Sequence, residues 1–136
     1  MTDWQPLWAV LLTQATGTSI IHEAVFPSRF QYIEHLNQMG AQTELFNPEV
    51  TNPDKVYNFD LAAEGSGGTH AVAITGPTQL KAGGFTVKDL RHGATLVLAA
   101  LVAGGTSIIH NVEEIDRGYE DLDGRLRSMG AQIVRE

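Results

Sequence analysis

The chain has 136 residues, no cysteine and a formal net charge of −7 at pH 7. Its length is that of one ordinary domain with its own core, and the lack of cysteine excludes disulfides, thiolate metal ligands and a cysteine nucleophile. The acidic balance argues against a nucleic-acid partner, because phosphate binding needs a basic face.

The first residues lead directly into an apolar pattern. The apolar run at 7–12 is too short to span a bilayer, and no basic segment precedes it. We therefore expect no membrane segment and no signal peptide, and a cytoplasmic location. Because the pattern starts without a lead-in, we also expect the chain to be cut from a longer protein.

The first half of the chain predicts two helices and several short strands. Residues 4–15 are apolar on nearly every side, which favours a helix buried all round with Asp3 as its N-cap. Ser28 and Gln31 have the spacing of a capping box, so a second helix is predicted to start there and to end at Gly40. Composition and alternation predict strands, loops and turns in this order: strands at 18–23 and 42–46, a loop at 47–58, a strand at 59–63, a flexible turn at 64–68, and strands at 70–74 and 85–87.

The second half repeats the order of helix, strand, helix and strand. Asp89 precedes an apolar helix at 91–103, and a strand follows at 107–110. Asp116 is predicted to cap the next helix, which Gly130 ends before a closing strand at 132–134. Because strands alternate with helices, we predict parallel pairing with right-handed crossovers.

Two stretches of sequence occur twice. Gly-Thr-Ser-Ile-Ile-His occupies 17–22 and 105–110, and Met-Gly-Ala-Gln occupies 39–42 and 129–132. Arg29 and Arg117 are separated by 88 residues, the same interval as the two hexapeptides. We therefore predict an internal duplication within one partial domain, with repeat 1 at about 1–87 and repeat 2 at about 88–136.

Three arginines are predicted to lie at helix starts: Arg29, Arg91 and Arg117. A cation there opposes the helix dipole, but free N–H groups together with a guanidinium suit a phosphate or a carboxylate. The alternative is a solvated arginine or one paired to a neighbouring acid. Asp3 and Asp89 are either N-caps or, beside such an anion site, a general base.

The remaining polar motifs predict no cofactor and no metal. His22 and His110 occupy the same position in the two copies, which favours a structural role, and the five histidines lack zinc spacing. The glycine-rich stretch at 65–68 lacks the Lys-Ser/Thr of a phosphate-binding loop and predicts a flexible hairpin.

The motifs Asp89-Leu-Arg91 and Asp116-Arg-Gly-Tyr-Glu120, with Ala-Val-Phe-x-x-Arg-Phe at 24–30, resemble the C-terminal part of the UDP-N-acetylglucosamine 1-carboxyvinyltransferases. These are enolpyruvyl transferases, and the resemblance extends over nearly the whole chain. It implies an α/β (α+β) fold of repeated βαβαββ units with helices inside and sheets outside. Two of the three units of one domain would be present, with an N-terminal portion missing. The segment at 47–68 is longer than the family pattern, and Met1 stands where the family usually has proline.

The resemblance also implies roles for individual residues. Asp3 would contact the 3-hydroxyl of the sugar and act as its base, and Val25 would lie against the UDP-sugar. Arg29, Arg91 and Arg117 would bind or orient phosphoenolpyruvate, Arg117 counting with Asp3 among the catalytic residues. Asp89 would lie close to this cluster.

The implied reaction transfers the enolpyruvyl group of phosphoenolpyruvate to UDP-N-acetylglucosamine, the first committed step of peptidoglycan synthesis. The general acid of the family, a Cys or Asp on a mobile loop, would lie in the missing portion, so we expect the chain alone to be inactive. An incomplete domain should expose an apolar flank, which predicts a homo-oligomer. The alternative is a stand-alone structural or anion-binding module that kept the fold without catalysis.

Overall fold

The computed structural model describes residues 2–64 and 68–136. The helical elements are a 3-10 turn at Thr2–Trp4, α1 Gln5–Leu12, α2 Tyr32–Gln38, α3 Pro53–Val56, α4 Leu61–Glu64, α5 Leu90–Val102, α6 Glu113–Asp116 and α7 Leu122–Ser128. The strands are β1 Gly17–His22, β2 Gln42–Phe46, β3 Ala71–Gly76, β4 Gly84–Thr86 and β5 Ile108–His110. The predicted mixed α/β class is confirmed.

The strands form two small sheets with different pairing. In the first sheet β3 lies between β1 and β2 and is antiparallel to both. In the second sheet β4 and β5 are parallel. The prediction of parallel pairing is therefore wrong for the first sheet and right for the second. The reason is the excursion at 47–70, which brings the chain back in the opposite direction and inserts β3 between the two earlier strands.

The core lies between the first sheet and the helices α1, α2 and α5. From the sheet, Val72 and Ile74 are fully buried, and α2 contributes Ile33 and Leu36. The helix α5 packs against α1 and is buried over residues 92–96, so its predicted burial is confirmed over that part. No helix among the described residues is long and apolar enough to cross a bilayer.

The helix α1 is buried on one side only. Ala9 and Val10 lie in the core, whereas Trp4, Trp8 and Leu11 are 54%, 51% and 56% exposed. The prediction that this segment is buried all round is therefore wrong. Trp4, Trp8 and Leu11 are spaced by four and three residues, which places their side chains along one flank of the helix. No described element covers this flank.

The duplicated sequences adopt the same local backbone. Gly40 and Gly130 end α2 and α7 with φ of 95° and 101°. In both places the third residue after the helix closes it: the Ala41 N–H donates to the Leu36 carbonyl at 2.9 Å, and the Ala131 N–H donates to the Leu126 carbonyl at 3.0 Å. Glycine is suited to this left-handed position because it has no Cβ.

Several local predictions are wrong. Ser28 has φ of 52° and cannot act as an extended N-cap, and the Gln31 side chain donates instead to the Ser28 carbonyl, so no capping box forms. Residues 59–63 hold the start of α4 rather than a strand. Residues 132–134 form no strand, because no described strand lies beside them. Of the turn predicted at 64–68, residue 64 is the last residue of α4, and residues 65–67 lie outside the described residues.

Candidate functional site

Three of the predicted site residues meet at one surface. Asp3 lies in the 3-10 turn before α1, Arg91 on the first turn of α5, and Arg29 in the loop before α2. Arg91 Nε donates a hydrogen bond of 2.8 Å to Asp3 Oδ1, and Arg29 Nη1 donates one of 3.2 Å to the same oxygen. A single carboxylate thus connects groups from both repeats.

The two guanidinium groups keep Asp3 ionised. The hydrogen bond from Arg91 holds the pKa of the Asp3 carboxyl below its ordinary value, and the bond from Arg29 lowers it further. Asp3 does not cap α1, because Trp4 occupies that position without a side-chain cap. The N-cap interpretation is therefore wrong for Asp3, since the arginines occupy its carboxylate.

A buried acid supports this cluster from below. Glu23 is only 3% exposed. Its Oε2 accepts a 2.6 Å hydrogen bond from Thr2 Oγ1, which in turn accepts one of 3.1 Å from Arg29 Nη1. Its Oε1 accepts the backbone N–H groups of Val25 and Phe26 at 2.8 and 3.2 Å. Glu23 therefore holds both the turn after β1 and, through Thr2, the guanidinium of Arg29.

The Arg29 side chain is restrained on a second side. Its guanidinium carbon lies 4.0 Å from the centroid of the Phe26 ring, a cation–π arrangement. The side chain is 22% exposed, against 47% for Arg91. Arg29 is thus the more rigidly held of the two cations. It lies three residues before α2 and not on its first turn, so the predicted helix-start placement is wrong for Arg29.

Sequence reasoning missed Thr2 and Glu23. A signal for Glu23 exists in the duplication, because it directly follows the first hexapeptide whereas Asn111 follows the second. Asn111 has φ of 60° and donates its side-chain amide to the carbonyl of Val87 at 2.9 Å. The acid is therefore a departure from the repeat, which marks the turn in repeat 1 as different.

Val25 lies two residues after Glu23, and Asp89 lies two residues before Arg91. Val25 is 36% exposed on the turn that Glu23 holds. Asp89 is the N-cap of α5 and its Oδ1 accepts the backbone N–H of His92 at 3.0 Å, so the N-cap interpretation is confirmed for Asp89. Its carboxylate stabilises the first turn of the helix that carries Arg91.

Arg117 does not join Asp3 among the described residues. It follows the last residue of α6, and its Nη1 donates to Glu114 Oε2 at 2.9 Å with the Arg117 side chain 75% exposed. The predicted start of a helix at this arginine is therefore wrong. Asp116 is the last residue of α6 and pairs with Arg135, so it caps no following helix.

The duplication explains why Arg29 and Arg117 differ. Asp3 and Arg91 are themselves 88 residues apart, the interval of the repeat. In repeat 1 the position before the apolar helix holds an acid that pairs with Arg29. In repeat 2 the equivalent position is Arg91, on the first turn of α5, which cannot form an ion pair with Arg117, and Arg117 pairs locally with Glu114.

The cluster offers cations to an approaching anion. Arg91 uses only Nε on Asp3, and its terminal nitrogens have no partner among the described residues. Such a guanidinium edge matches a phosphate or carboxylate. No three His, Asp or Glu side chains within 2–64 and 68–136 are grouped so as to hold a metal ion. His22, whose Nε2 lies 2.8 Å from the Tyr57 hydroxyl, serves the packing of the excursion.

The family match and the similar proteins each cover nearly the whole chain. The family described as EPSP synthase (3-phosphoshikimate 1-carboxyvinyltransferase) matches residues 1–126. A UDP-N-acetylglucosamine 1-carboxyvinyltransferase of Chlamydia trachomatis serovar D is 41% identical over 135 residues, covering 98% of this chain and 29% of the relative. The UDP-N-acetylglucosamine 1-carboxyvinyltransferase 2 of Listeria monocytogenes serotype 4b is 38% identical over 134 residues, covering 98% and 26%.

A solved structure has the same fold. The enolpyruvyl transferase NikO from Streptomyces tendae superposes with a TM-score of 0.72 at 28% identity, over 97% of this chain and 26% of that one. The chain thus spans less than a third of the length of these relatives. The resemblance drawn from the sequence motifs is confirmed, and the chain belongs to the EPSP synthase family.

Proposed function

We propose that the chain forms the C-terminal part of an enzyme that transfers the enolpyruvyl group of phosphoenolpyruvate to the 3-hydroxyl of UDP-N-acetylglucosamine. This transfer is the first committed step of peptidoglycan synthesis, takes place in the cytoplasm and supports cell wall biogenesis, cell shape and division. The observation that carries the proposal is the carboxylate of Asp3 held by two arginines, in a chain whose curated relatives bear that enzyme's name.

The three charges suit a substrate with a phosphate and a carboxylate. Arg29 and Arg91 bind and orient these anionic groups, which lowers the entropic cost of reaching the reactive geometry. As the anion engages the guanidiniums, their hold on Asp3 weakens, and the pKa of its carboxyl rises towards the ordinary value. Substrate binding thereby makes Asp3 a better base for the sugar hydroxyl. Protonation of the vinyl carbon, addition of the hydroxyl and loss of phosphate complete the transfer.

The other predicted residues act at the margin of this cluster. The exposed Val25 offers an apolar contact to the UDP-sugar. Asp89 acts by holding the helix start that carries Arg91. Arg117 joins the phosphoenolpyruvate site by leaving Glu114, which costs little because exposed ion pairs contribute about 0–1 kcal/mol.

Calorimetric titration with phosphoenolpyruvate tests the site. Replacement of Arg91 by Gln should weaken binding by about tenfold or more, because it removes a charge-assisted contact. The matched control is Arg125→Gln, at an exposed arginine on α7, which should bind as the parent does. An equal loss of affinity in both variants would show that only the overall charge matters, and it would contradict the proposed site.

A phosphate-release assay with both substrates tests whether this chain binds phosphoenolpyruvate without catalysing the transfer. The resemblance places the general acid outside these residues, so the 136-residue chain should bind phosphoenolpyruvate without turning it over. Turnover at rates typical of enzymes, about 1–1000 per second, would overturn this expectation. The alternative function, a stand-alone anion-binding module, is favoured by the Asp3 cluster being formed within this chain. It predicts anion binding that addition of the remaining portion of the enzyme does not convert into catalysis.

We also propose that the exposed flank of α1 is covered by a second copy of the chain. Trp4, Trp8 and Leu11 supply a row of apolar side chains, and α1 already packs against the equivalent helix of repeat 2. In sedimentation equilibrium Trp8→Glu should shift the species towards monomer. Ile20→Glu, at an exposed residue of β1, should not. A parent chain that stays monomeric at every concentration would contradict this.

A further inference from the structure

Two buried histidines join the repeats close to the proposed site. His35 on α2 and His92 on α5 are 8% and 5% exposed. His92 Nε2 and His35 Nδ1 lie 3.0 Å apart, with the rings edge to face at 4.4 Å between centroids. The Phe85 ring covers His35 from β4, at 6.2 Å between centroids. Neither histidine was assigned a role by the sequence.

The hydrogen-bond directions are determined by a backbone group. Lys88 N–H donates to His92 Nδ1 at 3.2 Å, so Nδ1 carries no proton. The ring proton of His92 is therefore on Nε2, and Nε2 donates to His35 Nδ1. His35 in turn carries its proton on Nε2. Both rings are neutral, and the direction cannot be reversed because a backbone N–H only donates.

A further proton on either ring therefore breaks one of these hydrogen bonds. Protonation of His92 at Nδ1 sets its N–H against that of Lys88. Protonation of His35 at Nδ1 sets two ring N–H groups against each other across 3.0 Å. Either event replaces a hydrogen bond by a repulsive contact in a buried place.

The histidine pair is close enough to Arg91 to control the position of that residue. His92 is the next residue along α5, and Asp89 accepts its backbone N–H. The side chain of Thr95 donates to the Arg91 carbonyl at 2.8 Å, so the first turn of α5 is held on both sides of the arginine. We infer that His35 and His92 are positioning residues, a neutral hydrogen-bonded joint that holds Arg91 beside Asp3 and opens when either ring is protonated. The consequence for phosphoenolpyruvate rests on the proposed function; the joint itself does not.

The charges around the pair do not offset burial. Lys88, from the segment before α5, disfavours protonation of both rings, whereas Glu34 on α2 favours it, and Asp89 favours it for His92. Burial dominates and lowers the pKa of both histidines below the ordinary 6.5, and His35 further lowers that of His92. Stability from the joint is therefore complete above pH 6.5 and is lost as the pH falls through the folded-state values.

Nitrogen NMR of the histidine side chains tests the joint directly. At pH 7.5 both rings should show the neutral Nε2–H form. A proton on Nδ1 of either ring, or a charged ring at that pH, would overturn the inference.

Unfolding in urea at pH 7.5 and 5.5 tests the linkage. The folding equilibrium constant of the parent should fall by up to about tenfold for each histidine between these values. The double variant His35→Asn with His92→Gln keeps a donor and an acceptor that do not titrate, and should lose this dependence. His110→Gln, at an exposed histidine of β5, should keep it. If the double variant fails to fold, His35→Asn alone should remove about half of the dependence. An unchanged dependence in the folded variant contradicts the inference.

Two readouts separate positioning from stability. The Nε–H resonance of Arg91 should move between pH 7.5 and 5.5 in the parent and stay in place in the double variant. Affinity for phosphoenolpyruvate should weaken over the same interval in the parent more than in the double variant. Absence of binding at pH 7.5 would defeat the proposed function alone, whereas an Arg91 resonance that ignores pH in the parent would defeat the joint.

Discussion

The buried Glu23 gives the most direct test of how the site is built. Replacement by alanine removes the acceptor for three donors, the backbone N–H groups of Val25 and Phe26 and the hydroxyl of Thr2. An unsatisfied buried donor costs about 1–3 kcal/mol. These donors are only partly buried, so the lower end applies and the total loss is about 3 kcal/mol. That is a large share of a typical unfolding free energy of about 5–15 kcal/mol.

Glu23→Gln separates shape from charge. The amide oxygen still accepts the two backbone N–H groups, but the amide nitrogen meets a Thr2 hydroxyl that already accepts from Arg29. Loss of the charge-assisted bond should cost about 1–2 kcal/mol. Both variants also loosen Thr2, which restrains Arg29, so their affinity for phosphoenolpyruvate should fall.

Urea unfolding followed by tryptophan fluorescence measures these losses. The control is Glu44→Ala, at an exposed glutamate of β2, which should change stability by less than about 0.5 kcal/mol. If Glu23→Ala unfolds within about 1 kcal/mol of the parent, water replaces the carboxylate without loss and the anchoring role is refuted.

Two further predictions concern the core and the surface. Leu36→Ala should cost about 2–5 kcal/mol in urea unfolding because the side chain is fully buried; Leu45→Ala, at a residue 42% exposed, should cost far less, and equal losses would contradict the described core. Arg135 lowers the pKa of the Asp116 carboxyl, so Arg135→Gln should raise it. In the parent, the pair stabilises the fold above the ordinary carboxyl pKa, and this stability is lost as the pH falls. The variant should lack this contribution. Carbon NMR of the Asp116 carboxyl group measures its pKa, and the control Arg125→Gln should leave that pKa unchanged. An unaltered Asp116 pKa in Arg135→Gln would show that the pair is not formed in solution.

The local parts of the fold were predictable from the sequence. The stops at Gly40 and Gly130, the cap at Asp89 and the strand β2 were all predicted and are present. They depend on interactions within a few residues, for which residue type and spacing suffice. The duplication was equally clear, because identity of sequence needs no structure to be seen.

Interactions between distant residues were decided only by the tertiary structure. The pairing of Asp3 with Arg91 joins residues 88 apart, and the insertion of β3 reverses the predicted strand direction. Burial of Glu23 and the pairing of His35 with His92 likewise have no local pattern. The sequence by itself determined the glycine stops, the cap at Asp89, the strand β2, the repeat and the family motifs. Which charges meet depends on how α1, α2 and α5 pack together, because apolar periodicity specifies a buried face without specifying its partner.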